Sequence, residues 1–243
     1  CETGGRVIIS HLVYMYVGDG LRRVLDAIED CRARGGGVWA DSGVYTAFAT
    51  FAGTPVFDED IFRAKGYCAE KVRAATGKYA GQYLDQHKFR EVRTLFPKDS
   101  LIYDPGSPGD IETAYSLPGV MVSTDCIGGA PKGQGHPQGA ATYPLFFRRM
   151  VRETGKLSLL DAVRRCTLFP ARALGYEGKG RLAVGADADI VVLDWERLRE
   201  RAAFPGEGDP CAAPEGVIHV LVQGRPAIAY GTRIEGVFAG TCL

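Results

Sequence analysis

Four short apolar runs, separated by helical patterns, constrain this chain more than any other feature. Arg6-Val-Ile-Ile-Ser10, Val38-Trp-Ala-Asp41, Ser100-Leu-Ile-Tyr103 and Val120-Met-Val-Ser123 are bounded by turn residues. Runs of this kind read as buried strands. Between the first two, Leu21, Val24, Leu25, Ile28 and Cys31 recur at helical spacing, with Arg22, Arg23, Asp26, Glu29 and Asp30 on the other side. That pattern is an amphipathic helix, stopped by Gly35-Gly-Gly37. Residues 61–66, 68–75, 87–96 and 110–116 also read as helical, and 54–58 as a loop. Strands alternating with helices predict a parallel sheet. Four such units account for half of a (β/α)8 barrel, whose full circuit takes about 250 residues. Residues 144–153 and 158–166 read as closing helices, the second capped by Ser158 with Asp161 three positions on.

From Arg181 onward the pattern changes to short β-rich runs split by Gly-containing turns. These are Leu182, Ala188-Asp-Ile-Val-Val-Leu193, Val217-Ile-His-Val-Leu-Val222, Ala227-Ile-Ala-Tyr230 and Val237-Phe238. A Gly/Pro/Ala-rich loop fills 202–214. The expected architecture is α/β: residues 1–176 as the C-terminal half of a TIM-like (β/α)8 barrel, and 177–243 as a small β-sandwich-type domain.

Bulk properties exclude several partners. The 243 residues carry 29 Lys+Arg and 29 Asp+Glu, a formal net charge of +0. No basic stripe suits nucleic acid, and no apolar run is long enough to span a bilayer. Cys1, Cys31, Cys68, Cys126, Cys166, Cys211 and Cys242 are scattered without a CxxC pair, and read as reduced packing thiols of a cytoplasmic protein. The chain opens at Cys1, with no Met, almost directly on a core strand. We therefore expect an N-terminal portion to precede it.

Five segments carry a family likeness. Val120-Met-Val-Ser-Thr-Asp125 is an apolar run ending in a carboxylate. Gly133-Gln-Gly-His-Pro-Gln-Gly139 and Thr142-Tyr-Pro144 follow it. Thr167, Pro170, Ala171 and Leu174 lie in a short helical turn before Gly178-Lys-Gly-Arg-Leu-Ala-Val-Gly-Ala-Asp-Ala-Asp-Ile-Val-Val-Leu-Asp194. Together they resemble the last barrel strand and small β-domain of the amidohydrolase superfamily, most closely its N-acyl-D-amino-acid deacylase (D-aminoacylase) branch.

The resemblance implies a zinc-dependent hydrolase acting on non-peptide amide C–N bonds, with one or two divalent ions. His11 matches a metal ligand after the fifth strand; its other reading is a buried, hydrogen-bonded histidine. Asp125 matches the last-strand aspartate, which binds metal and takes the proton from the attacking water; its other reading is a turn cap. A carboxylate at the C-terminal end of a barrel strand reads as catalytic. The position of a second metal histidine falls on Gly43, with Asp41 or Ser42 as substitutes or plain turn residues. Where relatives carry an Arg that holds the substrate carboxylate, this chain has Gln138, which cannot make the bidentate pair. His136 and Gln138 are candidate substrate contacts. Lys78 and Tyr79 either clasp a substrate acid or end a helix, and Tyr45 either faces the pocket or packs. His87 and His219 read as surface residues.

Two residues are fewer than the three protein ligands a catalytic zinc usually takes. The remaining ligands are expected in a missing N-terminal half or a second copy of the chain, a homo-oligomer. Three functions follow. The first is deacylation of N-acyl-D-amino acids with Asp125 as general base. The second is hydrolysis of a cyclic amide or hydantoin on the same scaffold. The third is a truncated, non-catalytic fragment.

Overall fold

The structure is a computed structural model that describes residues 5–126 and 130–241. Its centre is a parallel sheet of β1 (Val7–Ile9), β2 (Val38–Ser42) and β6 (Val120–Val122), in the order β1-β2-β6. Ile9 pairs with Ala40, and Ser42 with Val122. All three strands therefore end at one rim. Among the described residues they form an open three-stranded sheet with β1 and β6 at its two edges.

Helices reach this sheet through side chains that bond strand-end carbonyls. α1 (Leu12–Met15) and α2 (Gly18–Ala33) link β1 to β2, and α2 buries Leu21, Leu25 and Ile28, as its spacing predicts. Arg32 of α2 donates to Val38 O at 2.9 Å and to Pro118 O at 2.7 Å. α5 (Pro108–Ser116) begins in a full capping box between Ser107 and Asp110. Its buried Tyr115 donates to Ser42 O at 2.6 Å. α6 (Gln138–Phe147) passes through the internal Pro144 into a wide π-type segment, Arg148–Glu153. α7 (Leu159–Cys166) has the expected Ser158 cap on the Asp161 N–H, and α8 (Leu168–Leu174) follows. Arg165 of α7 is 3 % exposed. It bonds Leu117 O at 3.2 Å, Val120 O at 3.1 Å and the Asp161 carboxylate at 2.8 Å.

The third expected parallel strand lies elsewhere. β5 (Ser100–Tyr103) is the centre of an antiparallel sheet, between β3 (Phe48–Phe51) and β4 (Val72–Ala74). Residues 68–75, read as helix, form a short 3-10 turn and β4. β3 follows no strand-like apolar run in the sequence, and the expected loop at 54–58 holds the 3-10 turn Pro55–Phe57 before α3 (Glu59–Ala64). The physical reason is that Leu101, Ile102 and Tyr103 are all buried. A strand covered on both faces has no alternation to reveal its partners or their direction. α4 (Gln86–Leu95), capped by Asp85, packs Phe89 and Val92 into the same core.

The C-terminal region is one antiparallel sheet of β7 (Ile190–Leu193), β8 (Val217–Val222), β9 (Arg225–Ala229) and β10 (Thr232–Arg233), in the order β10-β9-β8-β7. Its two tight hairpins turn on Gln223-Gly224 and Tyr230-Gly231, all four residues at positive φ. Paired positive φ is the turn whose twist suits a hairpin. Leu182 and Val237-Phe238 lie outside strands. Cys31 is disulfide-bonded, a correction to the expectation of seven reduced thiols, while Cys68, Cys126, Cys166 and Cys211 are free. Cys1 and Cys242 lie outside the described residues. Among the described residues no helix is long and apolar enough to cross a membrane.

Arg165 joins the start of β6 to α7 through buried bonds, so truncating it removes a donor from two carbonyls and leaves the Asp161 carboxylate without its ion pair. Arg165→Ala is expected to lower the unfolding free energy by about 3 kcal/mol in urea denaturation. A loss under about 1 kcal/mol would show that the clamp is dispensable.

Candidate active site

The rim is built first by Asp41, at the end of β2. Its carboxylate is buried and accepts two bonds from the end of β1: Ser10 Oγ at 2.8 Å and the His11 N–H at 2.8 Å. Asp41 is thus a brace between strands, the structural one of its two readings. The second bond meets His11 where the backbone turns left-handed, at φ 44°. Asp125, three residues past β6, is also left-handed, at φ 49°. Left-handed non-glycine residues are strained and gather at functional sites. Because β1, β2 and β6 are parallel, His11 and Asp125 leave the same end of one sheet.

Their electrostatics are linked. Burial pushes the Asp125 carboxyl above the ordinary carboxylate range. The His11 side chain opposes that rise and the Asp41 charge adds to it. His11 Nδ1, Ser42 Oγ and Ser123 Oγ are buried at these strand ends with no hydrogen-bond partner. Unsatisfied buried polar atoms mark places where a ligand completes the bonding.

Tyr14 of α1 closes the floor. A Cβ added to Gly43 would lie 2.0 Å from the Tyr14 hydroxyl oxygen. The phenol therefore fills the space that any side chain at position 43 would need. Burial, and then the Asp125 charge, push the Tyr14 hydroxyl well above its usual range, so it stays protonated. It donates to Gln138 Oε1 at 3.5 Å. The Gln138 amide in turn donates to the Asp125 carbonyl.

The expected substrate contacts separate into two groups. A cavity of about 440 Å³ opens beside the Asp125 segment, lined among others by Gly77, Lys98, Cys126, Gln134, His136 and Gln138. His136 and Gln138 therefore border it. Lys78 and Tyr79 do not: Lys78 Nζ and the Tyr79 hydroxyl both engage Glu91 of α4 at 2.7 Å. Tyr45 packs edge-on to His136 at 4.9 Å and to Phe204 at 5.7 Å. Burial pushes the His136 imidazole down to about 3, so it is neutral. Its Nδ1 accepts the Gln138 N–H at 3.0 Å. Gln138 is 2 % exposed. Its side-chain amide is spent inside the protein rather than offered to solvent.

Sequence reasoning passed over Tyr14. The one signal was Gly43, a residue whose missing side chain makes room for something else. Residues 127–129, including Gly128, lie outside the described residues.

The donor set fits a divalent cation in part. It offers one buried imidazole nitrogen without a partner, the Asp125 carboxyl that feels its charge, and the Asp41 carboxylate bonded to the His11 backbone. Among the described residues, no three His, Cys, Asp or Glu side chains gather at metal-binding spacing.

Residues 119–228 match the profile of the Amidohydrolase family. A curated relative, the N-acyl-D-glutamate deacylase of Alcaligenes xylosoxydans xylosoxydans, is 36% identical over 134 residues, which are 55% of this chain and 26% of that protein. The structure of N-acyl-D-glutamate deacylase from Bordetella bronchiseptica, complexed with zinc and a phosphonate inhibitor that mimics the tetrahedral intermediate, superposes with TM-score 0.75. It is 26% identical, over 93% of this chain and 47% of that one. A D-aminoacylase structure shares the fold at TM-score 0.81 and 22% identity, over 97% of this chain and 49% of the other. The chain thus spans about half the length of these solved relatives. The chain resembles the deacylase branch, and its fold is that of the matching half.

Gly43→Ala drives a methyl group into the Tyr14 phenol. It is expected to cost about 2 kcal/mol of unfolding free energy, as overpacked cores do. Adding Tyr14→Leu should recover part of that loss in the same denaturation assay. Neutral behaviour of Gly43→Ala would show that the phenol does not sit there.

Proposed function

We propose that this chain supplies half of a metal-dependent deacylase that hydrolyses the amide C–N bond of N-acyl-D-amino acids. The observation that carries the proposal is the placement of His11 and Asp125 at one end of parallel strands, with the His11 Nδ1 left unpartnered. His11 and Asp125 would hold the ion, zinc by likeness to the Bordetella bronchiseptica structure. A divalent cation there acidifies water and polarises an amide carbonyl.

The residues of this chain do the rest. Asp125 takes the proton of the attacking water and returns it to the amine nitrogen as the C–N bond breaks. Burial raises the Asp125 pKa, and a carboxylate whose pKa is raised accepts a proton more readily than an ordinary one. Asp41 holds the His11 backbone, and with it the imidazole, in place. His136 and Gln138 border the cavity that would receive the substrate.

The site draws on residues 1–176, and 177–243 form the accompanying β-domain. Two donors leave a cation open on its other sides, so the remaining ligands come from an N-terminal part of the protein. A second copy of the chain is the alternative source. The 243-residue chain by itself is therefore expected to be inactive. A cytoplasmic location belongs to the same proposal; the free thiols of Cys68, Cys126, Cys166 and Cys211 support it, and the disulfide at Cys31 counts against it.

One observation favours a second substrate. Gln138 spends its amide on Asp125 and so leaves no clamp there for a substrate carboxylate. A neutral cyclic amide such as a hydantoin needs none. Turnover of N-acetyl-D-glutamate against hydantoin separates the two.

In the chain joined to its N-terminal part, Asp125→Asn is expected to lower kcat by at least about a thousandfold. A chelator should abolish turnover and added zinc should restore it. Undiminished activity of Asp125→Asn would overturn the assignment.

A further inference from the structure

The loop after β6 has to hold Asp125 in a backbone conformation that L-residues rarely adopt, φ 49°. Such a residue persists only when its surroundings over-determine it. One contact reaches Asp125 directly, and two more hold the residue that makes it. The buried Gln138 side chain donates its amide to the Asp125 carbonyl. The Gln138 Oε1 accepts the Tyr14 hydroxyl at 3.5 Å. The Gln138 backbone N–H is fixed on His136 Nδ1 at 3.0 Å. The start of α6 is also pressed against this loop, since a Cβ on Gly139 would lie 2.6 Å from Cys126 Sγ. The Tyr14 phenol lies over Gly43, in space that a side chain there would occupy.

We infer that Gln138 and Tyr14 are positioning residues. Linked by one hydrogen bond, they hold the Asp125 backbone left-handed and thereby aim its carboxylate along the rim toward His11. Gln138 acts on the base, not on the substrate. The chain of bonds has a fixed polarity. The Tyr14 hydroxyl stays protonated and donates, Gln138 Oε1 accepts, and the Gln138 amide donates to a carbonyl that can only accept. That polarity leaves Gln138 one amide orientation, with its oxygen toward Tyr14 and its nitrogen toward Asp125.

This inference rests on the deacylase reading for its catalytic consequence, but not for its geometry. The test is a double-mutant cycle of Gln138→Met and Tyr14→Phe. Kinetics are measured in the chain joined to its N-terminal part, and Asp125 Cα and Cβ chemical shifts in the chain as it stands. Gln138→Met should lower kcat about 30-fold with KM within about twofold, because misaiming a reacting group is that costly. Tyr14→Phe should lower kcat about fivefold. The double variant should be no worse than Gln138→Met alone, since residues in one bonded network do not add. The Asp125 shifts should report a left-handed residue in the wild type and an extended one in Gln138→Met. If Gln138→Met fails to fold, a loss of the left-handed shifts in Tyr14→Phe carries the same meaning. A raised KM with unchanged kcat would assign Gln138 to the substrate and overturn the inference. So would additive effects, or left-handed shifts that survive both substitutions. If the wild type turns over neither substrate class, the deacylase reading falls, and the shifts alone decide the positioning.

Discussion

One carboxylate organises the rim. Asp41, nearly dry at the end of β2, accepts both the Ser10 hydroxyl and the His11 N–H. It therefore fixes where β1 stops and how His11 turns. The pairing of β2 with β6 carries that alignment across to Asp125. The arrangement has an electrostatic cost, because the Asp41 charge makes ionising Asp125 harder. Two carboxylates near one imidazole favour a positive charge between them. That is the physical basis for placing a cation there.

Around this rim the parallel sheet is held by helices through hydrogen bonds to carbonyls. Arg32, Tyr115 and Arg165 each reach from a helix to the backbone at a strand end. Such donors pair buried strand-end carbonyls that would otherwise be left unsatisfied. The antiparallel sheet around β5 supplies the other wall of the cavity and carries Arg73, whose guanidinium reaches Pro205 O and Glu207 of the 202–214 loop. Phe204 of that loop packs on His136. The loop is thus part of the scaffold under the candidate site.

Much of this was legible in the sequence, for identifiable reasons. The helix at 18–33 declared itself because one face is apolar and the other charged. The strands at 7–9, 38–42 and 120–122 were visible because each is an apolar run between turns. The run at 100–103 was visible as a strand but assigned to the wrong sheet, since an evenly buried run does not say which neighbours it pairs with. β3 and β4 are short and irregular in pattern, and only their pairing with β5 makes them strands. At the site, the positions of His11 and Asp125 followed from strand ends. The division of labour did not. Lys78 and Tyr79 are tied to Glu91, and Gln138 faces inward, because of contacts far apart in the chain.

The claim on which the rest depends is that His11 and Asp125 share one cation. A crystal of the chain joined to its N-terminal part, grown with zinc, would test it through anomalous scattering at the zinc edge. The account predicts a peak within bonding distance of the His11 imidazole and the Asp125 carboxylate. A zinc peak bound elsewhere, with those two side chains turned away from each other, would contradict it.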